Sequence, residues 1–291
     1  MSRTGGGRGT NQYQIRGRSV ETTNSSYQRH LEAPSDQTLD EPVSALRAEA
    51  LIVPSNDFFD LSWAKQSQPE RVVGRYVARR ADFAFSAAFL EGNSFTLPEV
   101  VTLLEGVVPQ GKNDDEVQQI LNLTEASEEL FSWINSGTFR LDFDHSDRLN
   151  AILARNDSID LGVRRQHSFV NPGGRGAIVS VMGVEFFGMN QDELRRAEPI
   201  FTERVAAIFH PVQRAATYAA LQSYAQYYLD GNKRTARYMM DGELMSNGYD
   251  AVAIPAKRKL EYNNALKETF TSGDTTRYVG FLLDVARKSS S

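Results

Sequence analysis

Asp230-Gly231-Asn232-Lys233-Arg234-Thr235-Ala236-Arg237 brings a carboxylate, a glycine and two arginines into eight residues, directly after the apolar stretch 212–229. Glycine lets a backbone turn tightly and approach a ligand closely. A helix starting just beyond it presents free N–H groups carrying partial positive charge, which is an anion site suited to phosphate. Arg234 and Arg237 lie three apart, so they share a helix face and can clamp one anion. Asp230 beside them suits a magnesium ion, which takes one or two carboxylates together with phosphate oxygens. The bland alternative is a helix–loop–helix turn with surface arginines. Convergence of these groups after an apolar helix, which would anchor the loop in the core, favours the phosphate site.

The elements that position this loop read as helices. Residues 69–90 carry Val73, Tyr76, Val77, Phe83 and Ala87 on one face and stop at Glu91-Gly92-Asn93, where glycine suits a left-handed helix end. Thr96 with Glu99 three residues on opens a helix running to Gly106, and 114–135 is helical with a break expected near Leu123-Thr124. A short helix is expected over 149–156. Residues 177–187 place β-branched and aromatic residues around Met182-Gly183, which predicts a hairpin. Helices follow over 191–208, 212–229, 234–246, 256–271 and 275–288. The fold class is mainly α with one small hairpin. Three segments are expected: a flexible tail over 1–40, with a docking arm as the lesser alternative, a helical segment over 41–140, and a core over 141–291 that carries the loop.

The chain has 291 residues, 41% of them hydrophobic, enough for a sizeable core. It has no cysteine, which excludes disulfides and thiolate chemistry. A net charge of −5 argues against broad nucleic-acid binding. No apolar run reaches the roughly 18–20 residues of a membrane helix, and the N-terminus has no signal-peptide core. The expectation is a soluble, cytoplasmic protein with neither nucleic acid nor membrane as partner.

Residues Gln226 to Arg237 resemble the Fic family signature, His-x-Phe-x-Asp/Glu-Gly-Asn-Gly/Lys-Arg-x-x-Arg, with Gln226 at the histidine and Tyr228 at the phenylalanine. The stretch from His210 to Ala216 is similar to the family's approach to the motif. The likeness spans most of 70–288. It implies a Fic-type helical core with a hairpin flap, binding ATP and Mg2+. Typical members transfer AMP to a Ser, Thr or Tyr hydroxyl of a target protein. By position, Asp230 would hold magnesium, while Asn232 and the amides around Gly231 and Lys233 would hold the α- and β-phosphates. Arg234 would contact the β-phosphate side and Arg237 the γ-phosphate. The hairpin near 177–187 would hold the target segment by strand addition. A homodimer is carried as a further partner expectation.

Gln226 is the departure that matters, a degenerate base position. Imidazole can take the target hydroxyl's proton because its pKa lies near neutrality; a carboxamide cannot. Losing a general base costs about 10²–10⁴ in rate, but phosphoryl transfer leans on positioning and charge, so activity need not vanish. His210 is a helix-start residue about 20 Å or more away along the helix. His145 and His167 fall in expected connecting segments and His30 in the tail. Glu91-Gly92-Asn93 also resembles the second half of the family's inhibitory motif, Ser/Thr-x-x-x-Glu-Gly/Asn. Its Ser/Thr position is Ala87, with Ser86 one residue early. This implies an inhibitory Glu91 paired with Arg237. A carboxylate in the last turn of a helix opposes the helix dipole, so some other gain is expected there. Four functions stand in competition: a weak or altered adenylyltransferase, a catalytically inactive nucleotide sensor, a hydrolase using Glu91 to remove AMP, and a pure interaction module.

Overall fold

A helix that is apolar on every side can only be buried. Pro211–Ala225 comes near this: small and apolar residues dominate it, Gln213, Thr217, Gln222 and Ser223 are buried with them, and every residue from Ala215 to Ser223 lies inside the protein. The computed structural model describes residues 47–170 and 178–289. The expected tail over 1–40, the start of the 41–140 segment, His30 and Ala177 lie outside the described residues. In chain order the elements are α1 (Arg47–Ala50), α2 (Pro69–Ala78), α3 (Arg80–Leu90), α4 (Leu97–Leu104), α5 (Asp114–Asn135) and α6 (Phe143–Leu153). Strands β1 (Ile178–Val181) and β2 (Val184–Phe187) follow. Then come α7 (Gln191–Ala206), α8 (Pro211–Ala225), α9 (Asn232–Ser246), α10 (Lys259–Ser272) and α11 (Thr276–Ser289). This is the mainly α class with one hairpin that the pattern predicts.

α8 and α9 form the central pair, with the most extensive mutual contact in the fold. Ala215, Ala216, Ala219 and Ala220 keep α8 slim, so α11 and α10 approach it on one side. Its other side, with Tyr218, Leu221 and Ala225, joins the core that holds Ile120, Leu130, Leu149 and Leu153. α6 packs on α9 and α5, and α3 packs on α5. One apolar cluster thus runs from Ala48 to Ala251, across position 140.

Several boundaries differ from the sequence expectation, each for a local reason. The helix expected over 212–229 stops at Ala225, because Gln226 turns left-handed (φ 56°, ψ 57°). The following helix starts at Asn232 rather than Arg234, with Gly231 at φ 77° before it. Residues 69–90 form two helices, broken at Arg79 (φ −119°, ψ 19°). No break occurs near Leu123-Thr124; Thr124 bonds back to the Ile120 carbonyl at 3.0 Å and the helix continues. The helix expected over 149–156 begins at Phe143, because Asp142 accepts the His145 amide at 3.0 Å as N-cap. His145 therefore lies in a helix, not a connection. Glu99 accepts from the Thr96 amide at 2.7 Å, as the capping-box reading requires.

Candidate functional site

The chain between α8 and α9 is rigid because its own side chains close it. Asn232 accepts from the Tyr228 amide at 2.8 Å and donates to the Tyr228 carbonyl at 2.7 Å. That side chain is spent bracing the loop, which leaves its backbone amide at the start of α9 as the group open to an anion. Asp230 accepts from the Gly231 amide and from Arg234 Nη2 at 3.0 Å. Asn150 of α6 donates to the Asp230 carbonyl at 2.9 Å and to Thr235 Oγ1 at 3.2 Å. A Cβ on Gly231 would stand 3.0 Å from Asn150 Nδ2 and 3.1 Å from Ala154 Cβ, in a backbone region that disfavours side chains. The positive φ is what favours glycine there, and the neighbours leave a Cβ only tight room. Tyr228 anchors the loop from below, its hydroxyl 2.7 Å from Ser146 Oγ and 2.7 Å from Asp147 Oδ1.

Beside this loop opens a cavity of about 420 Å3 lined by Glu91, Gln226, Asp230, Lys233, Arg234 and Ser180, among others. The amides of Asn232, Lys233 and Arg234, as the first of α9, have no acceptor within the helix. Arg234 is buried and held by Asp157 at 2.6 Å and the Leu153 carbonyl at 2.7 Å as well as by Asp230. Burial works against its charge, but Asp230 and Asp157 more than offset it. Burial likewise pushes the Asp157 carboxyl up, against the pull of Arg234. Asp230 keeps 27% of its side chain exposed, which leaves a carboxylate open to a hard cation.

Arg237 does not line the cavity; the carboxylate bonded to it does. Glu91 Oε1 accepts from Arg237 Nη2 at 2.9 Å, and Glu91 Oε2 stands 3.0 Å from Lys233 Nζ. Burial alone would raise this carboxyl, but Lys233, Arg237 and Arg234 together hold it well below the usual carboxylate range. The unfavourable placement of Glu91 at the end of α3 is thereby compensated by two cations from α9. Arg237 Nη1 also donates to the Tyr262 hydroxyl at 2.8 Å.

Gln226 lines the same cavity, and its side-chain Nε2 turns back to donate to the Ser223 carbonyl at 2.6 Å. It acts as a C-cap of α8, satisfying one orphan carbonyl. The left-handed backbone of a non-glycine residue costs about 1–2 kcal/mol and persists where surroundings enforce it. β1 lines the cavity with Ile178, Val179 and Ser180, and pairs with β2 in register Ile178↔Phe187 to Val181↔Val184. Met182 (φ 53°) and Gly183 (φ 74°) make its two-residue turn, both left-handed as such turns require. β1 alternates, with Val179 and Val181 buried, while β2 is largely exposed.

The structure thus brings together Gln226, Asp230, Gly231, Asn232, Lys233, Arg234 and Glu91, with Arg237 behind Glu91. His210 caps the far end of α8, its Nδ1 accepting from the Val212 amide at 3.2 Å, and His167 closes a short 3-10 turn. Sequence reasoning missed four participants: the Lys233–Glu91 pair, Asp157, Asn150, and Arg165, whose amide donates to the Tyr227 carbonyl at 2.6 Å. None of these contacts has a local signature, since each joins the loop to a distant stretch of chain.

No family model matches the chain. It is 29% identical over 209 residues to the protein adenylyltransferase Fic of Drosophila willistoni, covering 69% of this chain and 39% of that protein. The protein of the same name from Drosophila melanogaster matches with the same identity and coverage. The chain spans about two-fifths of the length of the curated relatives it matches. In structure it is similar to Fic-1 from C. elegans, with TM-score 0.59 at 19% identity over 78% of this chain and 64% of that one. A Fic domain containing signaling protein from Bacteroides thetaiotaomicron gives TM-score 0.59 at 19% identity, over 79% of this chain and 91% of that one. Among the described residues no helix is long and apolar enough to cross a membrane.

Proposed function

We propose that this chain, which has the fold of Fic-domain proteins, binds ATP with Mg2+ in the cavity beside the α8–α9 loop and is a protein adenylyltransferase-like nucleotide binder with altered catalysis. One observation carries the reading: Glu91 is held at once by Arg237 and Lys233, the two cations that a polyphosphate would otherwise claim. A carboxylate parked on two cations at a helix start is a stand-in for an anion. The donor set fits the rest of the ligand. The α9 amides and Lys233 suit phosphate oxygens, and the exposed Asp230 carboxylate suits one hard cation, which would neutralise phosphate charge when bound.

In such a transfer, the oxygen of a target hydroxyl forms a bond to the α-phosphorus, the bond from that phosphorus to the pyrophosphate oxygen breaks, and pyrophosphate leaves. The hydroxyl proton must go to a base. Gln226 stands at the position for that base and cannot hold a proton, so it can orient the nucleophile but not deprotonate it. Its Nε2 is already bonded to Ser223. That bond favours, as the second reading, a nucleotide sensor in which ATP displaces Glu91 without chemistry. Hydrolytic removal of AMP by Glu91 is the weakest of the three, because a carboxylate held well below its usual range is a poor base. A target segment would add to the free edge of the hairpin through backbone bonds.

Calorimetry with ATP and magnesium tests the premise. Glu91→Gly is expected to bind about tenfold tighter or more than wild type, because one charge-assisted pair no longer competes. Arg237→Ala, which removes one of the two cations on Glu91 and leaves Lys233 paired with it, is expected not to share that gain, because the γ-phosphate loses its seat. Equal affinities for wild type and Glu91→Gly would remove Glu91 from the nucleotide site.

A further inference from the structure

Arg165 is an arginine in a polar loop that the structure buries almost completely, with 3% of its surface exposed. Among the described residues no carboxylate lies within ion-pair distance of it. Its guanidinium instead holds backbone carbonyls. Nε donates to the Gln226 carbonyl at 2.6 Å, and Nη2 donates to Met189 at 2.7 Å and to Ala225 at 3.4 Å. Its own amide donates to the Tyr227 carbonyl at 2.6 Å. Burial pushes the guanidinium down to about 10, with Glu193 opposing, so it stays charged at neutral pH. A buried cation at the C-terminal end of α8 meets the negative end of the helix dipole, which compensates part of the cost of burial.

The carbonyls come from two places. Ala225, Gln226 and Tyr227 are the end of α8 and the start of the candidate nucleotide loop. Met189 is fully buried, two residues beyond the end of β2 and directly before Asn190, the N-cap of α7. The same guanidinium therefore ties the root of the hairpin to residue 226. Few side chains besides arginine could do this, because the planar fork offers several donors in fixed directions.

We infer that Arg165 is a positioning residue: it locks Gln226 in its left-handed conformation and makes the hairpin and position 226 move as one body. A segment laid on the hairpin would then arrive in fixed register with residue 226. That functional meaning rests on the nucleotide-transfer reading, whereas the coupling itself is observable without nucleotide. Gln226 thus owes its conformation to a residue 61 positions earlier in the chain.

Arg165→Lys separates coupling from charge. Lysine keeps the cation against α8 but has one compact head group where two roots need holding. Hydrogen–deuterium exchange on the full-length chain, without nucleotide, reads the result. Residues 184–190 and 222–229 are expected to exchange together about tenfold faster in Arg165→Lys, roughly the loss of one charge-assisted bond, while α9 keeps its protection. Arg165→Gln, lacking the charge, is expected to show the same paired change, larger. Acceleration of one segment alone, of neither, or of the whole chain evenly would overturn the inference. So would failure of both variants to fold, which would make Arg165 a determinant of the fold rather than of position. Because the exchange is read on the apo chain, its outcome is distinct from any failure of ATP to bind.

Discussion

At position 226 one side chain decides between two chemistries. The Gln226 amide nitrogen is committed to the Ser223 carbonyl at 2.6 Å, and a carboxamide has no site for a further proton at neutral pH. An imidazole in the same place could give its N–H to that carbonyl and leave its other nitrogen basic on the cavity side. Gln226→His is therefore expected to raise transfer of label from α-labelled ATP, onto the protein itself or a mixture of proteins, by about 10²–10⁴ over wild type. No gain in Gln226→His combined with Glu91→Gly, with ATP shown to bind, would sink the transfer reading and leave nucleotide sensing. The latch proposed for Glu91 has its own signature in pH. Its carboxyl is depressed in the folded chain, so the latch is complete above the ordinary carboxylate range and is lost only as pH falls through the depressed value. ATP affinity should thus be flat between about pH 6 and 8 as far as Glu91 is concerned. At this scale the pairing of Glu91 with Arg237 was legible through family likeness. Lys233 as a second latch was not, because the motif alone does not say where its ammonium lies.

Among elements, α6 does for the loop what the loop's own residues cannot. Asn150 is fully buried and bridges Asp230, Thr235 and the Gly162 amide, the last at 3.2 Å. Asn150→Ala takes a partner from each of these groups, of which Thr235 is fully buried and the other two partly, which should cost about 1–3 kcal/mol by urea denaturation and weaken ATP binding in parallel. A loss well below 1 kcal/mol would show that water replaces the amide. The sequence revealed this helix only in part. Its apolar positions were visible from Leu149 on, but its first turn is polar and its cap, Asp142, sits among other acids. The end of α8 was hidden for a different reason. Apolar residues continue through Leu229 without glycine or proline, and the stop comes from carbonyls drawn to Arg165 across the fold. Met182-Gly183, by contrast, was legible because its turn chemistry is local. Signals carried by neighbours in sequence survive in the sequence; those made by tertiary contact do not.

For the molecule as a whole, the site is rooted in a core that contains a misplaced charge. Asp241 lies one turn after Arg237 on α9, is 5% exposed, and accepts the Val252 amide at 2.8 Å. Burial raises its carboxyl to about 7, with that amide and Arg237 acting in opposition. The sign follows from which state binds the proton. Between about pH 4 and 7 the folded chain keeps a proton here that the unfolded chain has lost, so stability falls as pH rises through that window and levels off above it. Over the full window the loss from this group is on the order of 4 kcal/mol, a large share of a typical domain's stability. Asn in place of Asp preserves the acceptor for Val252 and removes the titration. Asp241→Asn is therefore expected to match wild type near pH 4 and to exceed it increasingly towards pH 8, by urea midpoint at constant salt. Parallel pH profiles for the two proteins would mean that Asp241 is ionised at little cost, with Arg237 as its effective partner. In that case Arg237 would serve two carboxylates, and releasing Glu91 would leave it less free for phosphate than the latch alone implies.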